Sequence, residues 1–401
     1  MAFNLPNWDI GPRYQLLRKI GKGTYGSVFE AKDSMTGERV AIKNIKSLFE
    51  YEVEAKHMLR EICIMRTLNH PNIVKIKDVV IPRRSDDYNN VFIVMEYAES
   101  DLKKLTKSPS FLDHSQVRYL FYQAVCGCRY MHSANVMHRD IKPANILINS
   151  DCTLKICDFG LSRSYRRLNH NFEEGLSMSR DPYEDDLIGG SGKPSRILTG
   201  HVVTRWYRAP EVILMEKEYG KEMDIWSLGC VFGEMLGMIR DNVQQHIERI
   251  PLFPGRSCFP LSPDLNATSS RAGYPVSDSD QLNMIFQVVG TRDSYDFITD
   301  PKAQRYVQAY PKIAPKDFKE IFPGVTVNEL DLLNRMLSFN PRERITLDQA
   351  INHPYFYPVR NPELETVAHR PVDFVFDSDS EIDLPTLKEM FRKEVSSFSS
   401  N

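Results

Sequence analysis

The hydrophobic pattern of this chain changes its period once, and that change constrains the fold more than any single residue does. From Tyr14 to Tyr97 apolar residues come in short β-type runs, among them Val40-Ala41-Ile42-Lys43 and Val91-Phe92-Ile93-Val94-Met95, with a helical stretch around Met58 to Leu68 between them. After Tyr97 the spacing becomes helical: Val117, Leu120, Phe121, Ala124, Val125, Cys128 and Met131 mark one amphipathic face. Ile225 to Phe232 is apolar nearly all round, as expected of a helix buried through the centre of a lobe. The expected class is α+β with two lobes: a small β-rich lobe with one main helix over 14–97, and a larger, mainly helical lobe over 98–357. A lead at 1–13 and an extension at 358–401 flank them.

At 401 residues and 42% hydrophobic, the chain can bury a large core, and one two-lobed unit accounts for that length. Two stretches rich in Ser, Gly, Pro, Asn and Asp, between Leu168 and Ser195 and between Gly237 and Asp280, read as long mobile loops. The tail carries an acidic run, 377–381, and an amphipathic stretch from Leu384 to Val395. A formal net charge of −2 gives no basic field, which argues against nucleic acid or an anionic membrane as primary partner. Met1 to Pro6 lacks the basic start and apolar run of a secretion signal, so a cytoplasmic or nuclear protein is expected. Seven cysteines without zinc-ligand spacing argue for reduced thiols used as small apolar filler. Cys157, next to Asp158, is either filler of this kind or a thiol activated by a lowered pKa.

The chemistry is concentrated in a few short segments. Gly21-Lys22-Gly23-Thr24-Tyr25-Gly26-Ser27-Val28 lies between two apparent strands, where glycines let backbone amides approach phosphate. A plain glycine-rich turn would look the same, but a dinucleotide-binding loop would open a helix, and here β-type sequence continues. Lys43 on the next strand places an ammonium for phosphate oxygens, with Glu61 on the helical stretch as its ion-pair partner. Glu61 could otherwise be a solvated helix residue. In His138-Arg139-Asp140-Ile141-Lys142-Pro143-Ala144-Asn145, Asp140 is placed to accept a hydroxyl proton and Lys142 to neutralise charge on a transferred phosphoryl group. Asn145 and Asp158 supply oxygen ligands of the kind that Mg²⁺ takes together with nucleotide phosphates.

With Asp158-Phe159-Gly160 and Ala209-Pro210-Glu211 following in order, the chain resembles eukaryotic protein kinases over roughly Tyr14 to Tyr357. The resemblance implies ATP and Mg²⁺ as cofactors, catalytic roles for Asp140, Lys142, Lys43, Glu61 and Thr204, and an activation segment over 158–211. It places the nucleotide against Ile20, Gly21, Gly23, Gly26, Val28, Ala41, Asp101 and Leu147, with Met95 as gatekeeper and the backbone of Glu96 to Ala98 holding adenine. Thr204 to Glu211 is similar to the cyclin-dependent and MAP kinase group, in which the residue corresponding to Val203 is strained and stabilised by the arginine corresponding to Arg208. That arrangement favours protein substrates with Ser/Thr-Pro sites, because proline lacks the amide that would otherwise go unpaired.

Asp158 to Arg163, the lip Leu198 to His201, the insertion after Gly237 and the tail from Pro371 to Val395, which resembles an extension returning to the small lobe, suggest MAP kinases in particular. The lip departs from the Thr-x-Tyr of that family: Thr199-Gly200-His201 looks like atypical protozoan MAP kinases, and no tyrosine is available for dual phosphorylation. Thr199 remains a phosphosite candidate because Arg139 and Arg163, helped by Arg60, can form a basic pocket, whether an upstream kinase or the chain itself adds the phosphate. The carboxylates of 181–186 either belong to a solvated insertion or occupy that pocket before phosphorylation. Thr24 and Tyr25 are either an ordinary loop tip or an inhibitory phosphorylation site. The acidic docking pair of MAP kinases maps to Asn361 and Leu364, leaving Glu363 and Glu365 nearby, so docking is expected to be weak or to recognise something else. A monomer is expected. Two alternatives are a cyclin-dependent-like kinase, although 53–61 carries no PSTAIRE-type helix, and a pseudokinase scaffold, although Lys43, Asp140 and Asp158 are all present.

Overall fold

The computed structural model describes residues 5–22, 26–82, 89–164, 205–216, 219–259, 261, 269–271, 274–372 and 382–399. Gly23, Thr24, Tyr25, the segment 181–186, Thr199, Gly200, His201, Val203, Thr204 and the acidic run 377–381 lie outside the described residues.

The β-type runs of the first part pair as an antiparallel sheet. It is built from β1 (Tyr14–Lys22), β2 (Ser27–Asp33), β3 (Arg39–Ile45), β4 (Ile76–Val80) and β5 (Val91–Glu96), in the order β1-β2-β3-β5-β4. Helix α1 (Glu52–Thr67) begins earlier than the pattern around Met58 suggested, because its N-cap, Tyr51, supplies no side-chain bond that a sequence could announce. Its apolar face, Ala55, Met58, Leu59 and Ile62, is buried. The opposite face of the sheet has its own small core of Ile10, Tyr14, Ala31, Val40, Ile42, Phe92 and Val94. Trp8 covers it, with its ring 4.8 Å from Phe29 and 5.2 Å from Phe92, so the lead closes a sheet face.

Beyond the hinge come β6 (Ser100–Asp101), α2 (Leu102–Lys107) and α3 (His114–Ser133), the last started by a capping box between Asp113 and Gln116. Short strands β7 (Val136–Met137), β8 (Ile146–Ile148), β9 (Leu154–Ile156) and β10 (Arg163–Ser164) frame the catalytic segments, with β6-β8-β9 in one sheet and β7-β10 in another. After α4 (Pro210–Ile213), α5 (Glu222–Leu236) runs through the middle of the lobe, and its Phe232 ring stacks 4.2 Å from Phe121 of α3. A hairpin of β11 (Ser269–Arg271) and β12 (Tyr274–Val276) precedes α6 (Gln281–Val289), α7 (Pro301–Gln308), α8 (Phe318–Ile321), α9 (Val327–Met336) and α10 (Leu347–Ile351).

The stretch after Gly237 differs from the mobile loop expected of its composition. Arg249 donates to the carbonyls of Thr106, Ser108 and Ser110, while Phe253 and Cys258 are fully buried, so 238–259 is fastened to the lobe. Periodicity could not reveal this, because the anchors are isolated side chains meeting distant backbone. The amphipathic tail forms α11 (Leu384–Ser399), which packs on α1: Leu387 and Phe391 are fully buried, and Phe391 meets Phe49 edge-on at 5.4 Å.

Candidate active site

The glycine-rich turn joins β1 to β2, and sterics account for one of its glycines. A Cβ on Gly26 would lie 1.9 Å from the carbonyl oxygen of Asn44, so no side chain fits there. On β3 the register sets Ala41 opposite Met95 and Lys43 opposite Ile93. Lys43 Nζ lies 2.7 Å from Glu61 Oε1 and 3.9 Å from Asp158 Oδ1. Burial works against the Lys43 ammonium, yet the charges of Glu61 and Asp158 hold its pKa above the ordinary value.

Along the hinge, the N–H and C=O of Ala98 make no hydrogen bond among the described residues. Glu96 is tied by its carboxylate to Lys155 at 2.8 Å, and Asp101 caps α2 by accepting from Lys104 N–H. Ile20, Gly21 and Val28 belong to β1 and β2, and Leu147 to β8 across from Asp101. Strand pairing thus sets Ala41 at the start of the hinge, opposite Met95, and Leu147 at its end, opposite Asp101.

The catalytic segment is held from beneath by a residue that the sequence reading did not single out. Asp224, on α5 and fully buried, accepts from the backbone N–H groups of His138 (2.8 Å) and Arg139 (2.9 Å). His132 Nε2 lies 2.9 Å from the same carboxylate, and Cys128 Sγ lies 3.6 Å from that nitrogen. Burial alone would push the Asp224 carboxyl up, but the bonds and charge of His132 and the backbone hold it below its ordinary value. The available signal was an acid placed directly before the apolar run of α5, where a solvated helix start would otherwise be assumed.

His138 links the two catalytic segments. Its Nδ1 accepts from Asp140 N–H at 3.2 Å, which puts the ring proton on Nε2, and that nitrogen donates to the carbonyl of Cys157 at 3.0 Å. Arg139 and Asp158 sit at φ +68° and +70°, a costly conformation for residues with side chains and one that recurs at functional sites. Phe159 is fully buried beside the His138 ring, while Asp158 keeps 45% of its side chain exposed to the cleft.

Asp140 Oδ2 lies 2.5 Å from Lys142 Nζ and receives Asn145 Nδ2 at 3.0 Å, and the same amide nitrogen also reaches the Asp140 carbonyl at 2.8 Å. Burial pushes the Asp140 carboxyl above its ordinary range, opposed by Lys142. With its nitrogen spent on Asp140, Asn145 has its amide oxygen left to offer. A carboxylate and an amide oxygen are hard donors, and that donor set fits Mg²⁺.

Arg163 pairs with Met137 across β10 and β7, near Arg139, whose guanidinium donates to the Tyr219 hydroxyl at 2.9 Å. Arg60 is buried on α1, and Arg208 reaches Cys258 Sγ at 3.7 Å. Burial pushes the Cys157 thiol up, which fits filler and not an activated nucleophile. Near the expected docking position, Glu365 is engaged by Arg360 (2.5 Å) and by the Tyr122 hydroxyl (2.7 Å), which leaves Glu363 as the exposed acid.

A lysine paired to a helix glutamate, a largely enclosed carboxylate held by a lysine and an amide, and a second, half-exposed carboxylate 3.9 Å from the first lysine are the groups that phosphoryl transfer would use. The family profile described as "Protein kinase domain" matches residues 14–250. Mitogen-activated protein kinase 14 of Arabidopsis thaliana is 34% identical over 97% of this chain and 91% of its own length. Mitogen-activated protein kinase 1 of Oryza sativa is 37% identical over 89% of this chain and 76% of its own, and mitogen-activated protein kinase 4 of Arabidopsis thaliana 36% over 94% and 84%. The chain belongs to the protein kinase family, in its mitogen-activated branch, and is a serine/threonine protein kinase. Among the described residues, no helix is long and apolar enough to cross a membrane.

Proposed function

We propose that the chain transfers the γ-phosphate of ATP to Ser or Thr followed by Pro, acting as a cytoplasmic or nuclear monomer in MAP-kinase-like signalling. The observation that carries this reading is the Asp140 carboxylate, 11% exposed and held by Lys142 and Asn145, with Asp158 at 3.9 Å from the lysine of the Lys43–Glu61 pair. Asp140 aims the substrate hydroxyl and takes its proton as the bond to phosphorus forms. Lys142 sits where charge on the transferred group develops. Lys43, oriented by Glu61, binds phosphate oxygens, and the free backbone groups of Ala98 bind adenine. Asn145 and Asp158 would hold Mg²⁺, which when bound neutralises phosphate charge. Asp140→Asn should lower kcat by ~10²–10⁴ while nucleotide affinity stays nearly intact. A parent enzyme no faster than that variant would defeat the assignment.

We further infer that single phosphorylation at Thr199, in a lip of the atypical Thr-Gly-His type, switches the enzyme on through the Arg60, Arg139 and Arg163 pocket. Support comes from the pairing of Arg163 beside the catalytic loop, and from the added charge of about −1.5 to −2 that a phosphate brings to such a cluster. Phosphosite mapping after incubation with MgATP, set against the Asp140→Asn protein, separates self-modification from the work of another kinase. Full activity of Thr199→Ala in a phosphate-mapped preparation would remove the switch.

A further inference from the structure

Tyr97, in the middle of the hinge, makes contacts that phosphoryl transfer does not use. Its hydroxyl is 3.1 Å from an Arg18 guanidinium nitrogen, and the Arg39 guanidinium carbon lies 4.0 Å over its ring centroid. Both arginines converge on one carboxylate: Arg18 Nε reaches Glu30 Oε2 and Arg39 Nε reaches Glu30 Oε1, each at 2.7 Å. The Glu30 side chain is 5% exposed, whereas Arg18 and Arg39 are 56% and 49% exposed. The arginines on their own would be ordinary surface charges, but a buried carboxylate cannot release them without losing its partners. One residue each from β1, β2 and β3 thereby grips the hinge.

The residues on either side of Tyr97 turn to the other lobe. Glu96 pairs with Lys155 on β9, Glu99 Oε2 accepts from Ser150 N–H at 2.8 Å, and Glu99 N–H donates to Asn149 Oδ1 at 3.0 Å. Glu96 is also tied back to the small lobe, its N–H donating to the Lys75 carbonyl at 3.0 Å and its carboxylate accepting from Lys75 N–H at 3.3 Å, so the hinge is held from both lobes.

We propose that Tyr97, held by Arg18, Glu30 and Arg39, is a positioning residue for nucleotide: it fixes the Glu96–Ala98 backbone against β1 to β3 so that adenine and the glycine-rich turn keep one spacing. The proposal rests on the reading that this backbone binds adenine. The test is a double-mutant cycle on the full chain, with MgADP affinity measured by calorimetry and steady-state kinetics measured in parallel, for Tyr97→Leu, Glu30→Gln and the pair. Each single change should weaken MgADP about three- to tenfold and raise KM for ATP in step, with kcat at saturating ATP moving less than about twofold. The pair should be no worse than the more damaging single change, because both remove the same grip. Tyr97→Phe, which keeps the stacking, should lose less than about threefold.

A lowered melting temperature with unchanged MgADP affinity would make Glu30 a sheet-stability residue only and overturn the proposal, as would effects that multiply. If the parent itself failed to bind MgADP, the adenine reading would fall first and the proposal with it. A parent that binds while the cycle is additive would remove the proposal alone.

Discussion

The two halves of the active site are held in opposite ways. On the large-lobe side, the catalytic segment hangs from Asp224, a fully buried carboxylate on the central helix. On the small-lobe side, Glu61 depends on the placement of α1, and the C-terminal helix α11 packs from outside on α1 and the segment leading into it, through Phe391 and Lys388 against Phe49 just before α1 and Arg66 of α1 with Glu394. The first arrangement cannot change without opening the core. The second can, because releasing one amphipathic helix from one face is a local event with a smaller free-energy cost than global unfolding.

Breaking the interior lock should have the largest effect. Asp224→Ala leaves two N–H groups without acceptors, and at ~1–3 kcal/mol for each unsatisfied group the fold should lose roughly 2–6 kcal/mol. Turnover should drop by ~10³ or more, since Asp140 loses the frame that aims it. Asp224→Asn, which keeps one acceptor oxygen, should lose less on both measures. Denaturant melts and kcat on the same preparations check this. A near-normal kcat in a folded Asp224→Ala protein would show that the loop holds itself.

Releasing the outer clamp comes next. Phe391→Ala removes a fully buried ring and should cost about 3–5 kcal/mol if the site does not collapse. The loss should appear first as local opening: faster amide exchange in α11 and α1, with α3 and α5 unchanged. Activity should fall by about tenfold through Glu61, with MgATP restoring part of it by favouring the paired state. Uniform exchange changes across both lobes would show that the clamp is no more local than the lock.

These two regions also differ in how far the sequence reveals them. Asp140, Asn145, Asp158 and Lys43 were legible because each sits in a short motif whose chemistry requires that spacing. Glu61 was legible through its lysine partner, and α11 through its period. Asp224 was not, since its role depends on a fold that brings it to His138 across 86 positions of chain. Trp8 was missed because a short lead has no period to read, and the fastening of 238–259 by Arg249 was missed because the composition of that stretch speaks only for a loop. What escapes is the support of a site by distant residues.

The interior helix offers a sharper version of the contrast, because it carries a second, half-buried acid with the opposite bias. Burial pushes the Glu234 carboxyl up to about 7, opposed by the Tyr207 hydroxyl that donates to it at 2.5 Å and by Lys107 and Lys103. A carboxyl raised above its unfolded value favours the fold fully below about pH 4.5, and that contribution is lost as pH rises through about 7. Glu234→Gln should remove this slope, so the variant gains on the parent between those pH values, by about 1–3 kcal/mol at the upper end. Melting curves of both proteins across that window test it. Parallel curves would mean that Glu234 takes up its proton at the same pH in the folded and unfolded chain.

The smallest effect is expected at the rim of the clamp. Arg66 Nε lies 2.8 Å from Glu394 Oε2, yet 44% of the arginine side chain is exposed. With the Glu394 side chain 18% exposed, a pair whose cation stays in water contributes ~0.2–1 kcal/mol, and salt screens it further. Arg66→Ala should therefore leave turnover within about twofold and barely change exchange in α11, with what difference there is shrinking at high ionic strength. The apolar face of α11 holds the clamp if the ratio of effects between Phe391→Ala and Arg66→Ala is large. Comparable losses from the two would mean that charge, and not buried area, keeps the C-terminal helix on α1, and the local release described above would then become a function of salt.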